Sequence, residues 1–106
     1  MSDAAMSEFV DTWYLASLGR NLIWARLRIL DAGTAEVLDS DGNHLAYDSE
    51  DSARSALLDA DFVSYDGLDE DDALGRGFSL QQVQPPHADS DEALVPRMVQ
   101  TLGARA

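Results

Sequence analysis

The chain has 106 residues, of which seven are basic, all of them arginine, and 20 are acidic, so its formal net charge is −13. With 45% apolar and 25% charged residues, it has the composition of one folded globular domain and not of a disordered chain. The lack of cysteine excludes disulfides and thiolate metal sites, and the lack of a membrane-length apolar run or a signal-peptide pattern predicts a cytoplasmic protein.

The N-terminal region allows two interpretations. Four apolar residues have the spacing of a helical stripe: Met6, Phe9, Val10 and Trp13. With Gly19 as its stop, a helix could cover residues 7–18. However, residues 12–18, TWYLASL, are rich in β-formers and precede a Gly-Arg-Asn turn. We therefore favour a tail or frayed helix over residues 1–11 and a strand over residues 13–18.

Residues 22–30, LIWARLRIL, alternate with a period of two and predict a strand. Its second face carries Arg26 and Arg28, so we expect that face to be at least partly in contact with solvent. Residues 34–38 and 44–47 predict two more strands, joined by a turn in which Gly42 supplies a positive φ. Short turns between consecutive strands indicate an antiparallel meander of three to four strands.

The pattern changes at Asp48, where a helix over residues 50–60 is predicted. Asp48 or Ser49 can cap it, and acidic residues occupy its first turn. Small and apolar residues form the stripe that would pack on one face of the sheet: Ala53, Ala56, Leu57 and Ala60. Residues 62–65 fit either another strand or a last helical turn.

A short acidic helix is predicted over residues 69–74, capped by Asp69 and stopped by Gly75 or Gly77. Ser79 can cap a single turn over residues 80–83. Phe78 and Leu80 should anchor this part of the chain to the core.

The C-terminal region begins with Gln84-Pro85-Pro86, which marks the edge of a single α+β domain over residues 12–84. Residues 85–106 then form a Pro-Pro linker and a C-terminal helix. Its apolar stripe again has helical spacing: Val95, Met98, Val99 and Leu102. This helical tail is either docked on the domain or free to bind a partner.

No catalytic, cofactor or metal site is predicted. Asp39, Asp41, Asn43 and Glu50 match positions of a calcium-binding loop, but His44 replaces the required glycine and no helix precedes the loop. A turn that binds its own backbone explains these residues better. His44 and His87 have no metal-ligand spacing, and no nucleophile elbow or glycine-rich phosphate loop occurs. We therefore expect a protein that is not an enzyme.

Residues 31–72 carry the whole net charge, with 14 acidic residues and Arg54 as the single base, which gives 14 − 1 = 13 negative charges. Such a charge repels nucleic acid and membranes and attracts basic proteins. One interpretation is a solvated surface that keeps the protein soluble. The other is a recognition surface that attracts a basic partner.

The leading hypothesis is an acidic, non-catalytic binding protein that neutralises or inhibits a basic, nucleic-acid-handling protein, in the manner of an immunity protein, a DNA mimic or a phage-encoded inhibitor. The predicted partner-binding residues are acidic side chains and two aromatic anchors: Asp59, Asp61, Asp66, Asp69, Glu70, Asp71, Asp72, Phe62 and Tyr65. The alternative is a small regulatory or scaffold domain that acts through hydrophobic contacts or homodimerisation.

Overall fold

The computed structural model describes residues 10–30 and 33–101, and for Val10 only the backbone. Four strands form an antiparallel meander: β1 (Val10–Leu18), β2 (Asn21–Ile29), β3 (Ala35–Leu38) and β4 (His44–Tyr47). The strand interpretation of residues 13–18 is confirmed, and this strand begins at Val10. Gly19, with a φ of 62°, turns β1 into β2. Met6 and Phe9 of the alternative helical stripe lie outside the described residues.

Two short strands complete the sheet, whose order is β4-β3-β2-β1-β5. β5 (Val63–Ser64) pairs with β1, so the strand alternative for residues 62–65 is confirmed. β6 (Val99–Thr101) pairs with the first three residues of β2. Because β1 occupies one edge of β2 along its full length, β6 lies on the other edge, beside β3. The chain is a small α+β domain, as predicted.

Within the described residues, three short α-helices follow the meander: α1 (Glu50–Asp59), α2 (Glu70–Gly75) and α3 (Asp91–Leu94). Ser49 is the cap of α1 and accepts a hydrogen bond from the Ser52 amide, and Asp69 caps α2. The predicted turn after Ser79 is a 3-10 helix, Leu80–Gln82. Within residues 10–30 and 33–101, no helix has the length and apolar character that crossing a membrane requires.

The C-terminal region differs from the predicted helix. Residues 91–97 are helical, as α3 and a 3-10 turn over Val95–Arg97, but after Met98 the chain continues as the strand β6. The free edge of β2 explains the change, because the Trp24 amide donates to the Met98 carbonyl over 2.8 Å and this bond continues the ladder. The region is docked, since the Leu94 and Met98 side chains are buried. Leu102 and Gly103 lie outside the described residues.

The sheet is covered on both faces. On the first, which we call the α1 face, strand residues meet two residues of α1: Tyr14, Ala25, Leu27, Ala35 and Val37 with Ala53 and Leu57. On the second, the Trp24 face, strand residues meet α2, α3 and the segments that follow them: Leu15, Leu22, Trp24 and Leu38 with Ala73, Phe78, Leu94 and Met98. We expected the face of β2 that carries Arg26 and Arg28 to be partly in contact with solvent. This is wrong at Arg26, which is 5% exposed, and correct at the half-buried Arg28.

Candidate functional site

The predicted partner-binding residues lie in residues 59–72, which we call the acidic segment. It starts at the last residue of α1, passes through β5 and ends in α2. Because β5 is the outermost strand beside β1, the segment runs along one edge of the sheet. It contains seven acidic residues and no basic one.

The charge of the acidic segment is not compensated. Six of its acids are exposed: Asp59, Asp61, Asp66, Asp69, Asp71 and Asp72. None of the seven forms an ion pair with any residue that the structure describes. Among the described residues, three arginines form ion pairs, and they do so with carboxylates outside the segment: Arg26 with Asp91, Arg28 with Asp11, and Arg54 with Glu50. Seven negative charges thus lie along this edge without a compensating basic residue among those described.

Two acids of the segment have clear structural roles. The Asp69 carboxylate accepts a hydrogen bond from the Asp72 amide over 2.9 Å and caps α2. Glu70 is half-buried and accepts from the Ser79 hydroxyl over 2.9 Å and from the Leu80 amide over 3.1 Å. These bonds tie α2 to the turn that follows it. The five other acids make no side-chain hydrogen bond with the described residues.

The two predicted aromatic anchors do not lie together. Phe62 is half-buried and packs on the α1 face of the sheet. Tyr65 packs on the opposite face, where its ring meets Trp24 edge-on with 5.4 Å between centroids. Both rings therefore contribute to the cores, and they cannot form one shared anchor.

A second polar cluster lies on the Trp24 face, around His44. Its Nδ1 is 3.4 Å from a carboxylate oxygen of Glu36, and its Nε2 is 3.9 Å from one of Asp91. Hydrogen bonds from Arg26 lower the pKa of the Asp91 carboxyl below its ordinary value. No group of three histidines or carboxylates in residues 10–30 and 33–101 is arranged to hold a metal.

The turn after β3 uses its polar residues on its own backbone. The Asp39 carboxylate accepts hydrogen bonds from the amides of Asp41 and Asn43, over 3.0 and 2.9 Å. Gly42 has a φ of 89°, as the turn interpretation requires. Glu50, the last residue of the calcium-loop spacing, pairs with Arg54. The geometry is that of a hairpin turn.

Sequence reasoning did not find a groove beside the acidic segment. It has a volume of about 480 Å³ and lies between the C-terminal ends of α1 and α2, at the open end of β1. It is lined by residues of β1, of α1, of the loop before β5 and of the loop after α2: Leu15, Ser17, Leu58, Asp61, Phe62 and Arg76. No local pattern signals it, because the elements that form it are distant in sequence.

The described geometry leaves five exposed and unengaged carboxylates along one sheet edge, beside a groove. Compared with protein-family models, with curated proteins and with solved structures, the chain gives no significant match. Its function is therefore argued from the charge and geometry of this edge.

Proposed function

We propose that the protein is an acidic, non-catalytic binding protein that neutralises or inhibits a basic partner, one whose own ligand is nucleic acid. The observation that supports this best is the position of Asp59 and Asp61. They lie at the C-terminal end of α1, where the helix dipole is negative and the last turn contains no basic residue. The helix dipole disfavours both carboxylates, but the φ of 69° at position 61 itself favours an aspartate or asparagine. The unfavourable position of Asp59 therefore supports recognition of a basic partner most directly.

The acids of α2 have a different local setting. Asp71 and Asp72 lie in the first turn, where negative charge stabilises a helix. Helix stability alone can account for them. Together with Asp59, Asp61 and Asp66, however, they extend one uncompensated surface along the edge of the sheet.

Such an acidic surface can be bound by a partner protein whose own ligand is the phosphate backbone of a nucleic acid. Duplex DNA carries one charge per about 1.7 Å, and its partners meet it with arginine and lysine. Carboxylates held on a folded scaffold present comparable charge to the same side chains. The attraction would also accelerate encounter, up to about 10⁸ M⁻¹s⁻¹ or more at low salt.

The test compares two variants that each remove five negative charges. The first neutralises the unengaged acids of the acidic segment: Asp59→Asn, Asp61→Asn, Asp66→Asn, Asp71→Asn and Asp72→Asn. The matched control neutralises five exposed acids elsewhere: Asp41→Asn, Asp48→Asn, Asp51→Asn, Asp89→Asn and Glu92→Gln. Asparagine tolerates the φ of 69° at position 61, so the first variant keeps that backbone.

Each protein is immobilised and used to capture partners from lysate at about 0.1 M and about 1 M salt, where the screening length is about 10 Å and about 3 Å. We expect the wild type and the control to retain a basic, nucleic-acid-binding protein at low salt, and the first variant to lose it. Equal capture by both variants, or recovery of no basic protein by the wild type, would contradict the proposal.

The alternative, a scaffold domain that homodimerises, draws support from β4. This strand forms the other edge of the sheet, and its Leu45 side chain is 41% exposed. Pairing of β4 with a second copy would continue the sheet. Light scattering decides, because a dimer of this kind persists at high salt and dissociates in Leu45→Lys.

A further inference from the structure

We propose, on the basis of the function proposed above, that the groove receives an extended segment of the basic partner. This segment adds as a strand to β1 at Ser17. It places an apolar side chain against Leu58 and a lysine or arginine beside Asp59 and Asp61. The groove then supplies the anchor that the two separated aromatic rings do not.

The outer edge of β1 is open at this point. β5 pairs with β1 only at Tyr14 and Leu15. Asp61, with a φ of 69°, turns the chain away from the sheet just before β5. The edge of β1 beyond Leu15 is therefore not paired within the described residues, and an incoming strand could continue the line that β5 begins.

Ser17 points its main-chain groups toward this open edge. Leu18 and Asn21 face each other across a two-residue turn, which makes them a hydrogen-bonded pair. Every second residue of β1, counted back from Leu18, therefore bonds to β2, and the residues between them direct their N–H and C=O groups away from β2. Trp13 is one of the latter, since its carbonyl accepts a hydrogen bond from the Tyr65 amide. By the same alternation Ser17 presents to this edge a donor and an acceptor that have no partner among the described residues.

The Ser17 side chain adds a third polar group. Its hydroxyl oxygen is buried and has no hydrogen-bond partner among the described residues. A buried polar group without a partner is unfavourable. Rotation about one side-chain bond can direct this hydroxyl toward a strand that binds at the edge.

The walls of the groove suit an apolar side chain. Leu58 belongs to α1 and is 58% exposed, and the half-buried Phe62 and Val63 lie near it. Covering Leu58 would remove apolar surface from water, which favours binding. Since Leu58 is not part of either buried core, it can be replaced without disturbing them.

The charge around the groove sets the polarity of the ligand. The α1 side carries Asp59 and Asp61 at the negative end of the helix, which attracts a cation. The α2 side carries Arg76, which forms no ion pair with the described residues and can donate to a main-chain carbonyl. Side chains on one face of a strand are two residues apart, so a strand with an apolar and a basic residue two positions apart presents both to the α1 side and turns its other face to Arg76.

The probe is a hexapeptide with both termini blocked, in which threonine alternates with valine or lysine so that valine and lysine share one face, titrated into ¹⁵N-labelled protein. We expect saturable amide shift changes centred on residues 16–18 and 58–63. Leu58→Ser should weaken binding about fivefold. Leu74→Ser is the matched control, because Leu74 is 59% exposed on a helix but does not line the groove. N-methylation of alternate peptide nitrogens should weaken binding about tenfold by removing main-chain donors.

Three results would overturn the inference: no saturable change up to about 1 mM peptide, equal effects of Leu58→Ser and Leu74→Ser, or no effect of N-methylation. Its failure is distinguishable from that of the proposed function. A basic partner that is lost on neutralising the acidic segment, yet binds Leu58→Ser normally, contradicts the groove alone. Peptide binding at Ser17 without any basic partner in lysate contradicts the proposed function alone.

Discussion

Arg26, in the middle of β2, holds the carboxylate of Asp91 at the start of α3 with both of its terminal nitrogens. The two distances are 2.9 Å and 3.2 Å, and the residues are 65 positions apart. The Arg26 side chain is only 6% exposed, whereas that of Asp91 is 40% exposed. The pair therefore links a buried charge on the sheet to the surface and fixes the position of α3.

Replacing Asp91 with asparagine should destabilise the fold at neutral pH by about 1 kcal/mol, because the buried guanidinium loses its counter-charge while solvent partly screens the loss. Hydrogen bonds from Arg26 lower the pKa of Asp91 below 3.8, so this stabilisation is fully present above pH 3.8 and disappears as the pH falls further. Urea unfolding at a series of pH values measures it. Asp89→Asn, at an exposed site, is the control. A difference that persists at the lowest pH would contradict the pairing.

Met98→Ala should lower the free energy of unfolding by about 2–4 kcal/mol, because Met98 is fully buried on the Trp24 face. Val99→Thr keeps a β-branched side chain at a site that is 46% exposed, and should change stability by less than about 0.5 kcal/mol. Chemical unfolding followed by tryptophan fluorescence compares the two. Equal small effects would mean that the C-terminal region is not docked.

Ser49→Ala should cost about 1 kcal/mol, since the Ser49 hydroxyl accepts from the Ser52 amide at the start of α1. Asp48→Ala, one position earlier, should cost less than about 0.5 kcal/mol. Thermal and urea unfolding of the two variants distinguish the two caps that the sequence allows. A larger loss in Asp48→Ala would assign the cap to Asp48.

Sodium chloride should raise the melting temperature of the wild type, because it screens repulsion among uncompensated carboxylates. Neutralising the five unengaged acids of the acidic segment should reduce this salt effect more than the matched set elsewhere, although both variants carry −13 + 5 = −8. Differential scanning calorimetry between about 0.1 M and about 1 M salt measures it. Identical salt dependence in the two variants would show that repulsion at this edge is no stronger than repulsion elsewhere on the protein.

Signals that act within a few residues predicted much of the fold. The alternation of residues 22–30 identified β2, and Asp69 and Ser79 marked two helix starts correctly. For α1 the sequence left the cap open between Asp48 and Ser49, and Ser49 is the cap. Each of these features depends on neighbours within one turn or one strand. Such local patterns survive folding unless a distant segment competes with them.

Features that depend on distant segments could not be predicted. The spacing of Val95, Met98 and Val99 is typical of a helix, but residues 99–101 form a strand because they pair with the free edge of β2. Arg26 led us to expect a solvent-exposed face, because its partner Asp91, which makes burial possible, lies 65 residues away in the sequence. At the candidate site, exposure of the acids followed from composition, whereas the separation of Phe62 from Tyr65 required the sheet itself.

Because Met98 packs against the Trp24 face, the core on this face cannot be completed until residue 98 has been synthesised. Met98 follows Trp24 by 98 − 24 = 74 residues, which a ribosome adds in about 4–15 s at the usual rates. Throughout that interval the tryptophan-bearing surface of the nascent chain lacks part of its cover, a state in which chains aggregate. The 14 acids of residues 31–72 are added within the same interval. Mutual repulsion between unfinished chains therefore begins before their core can close.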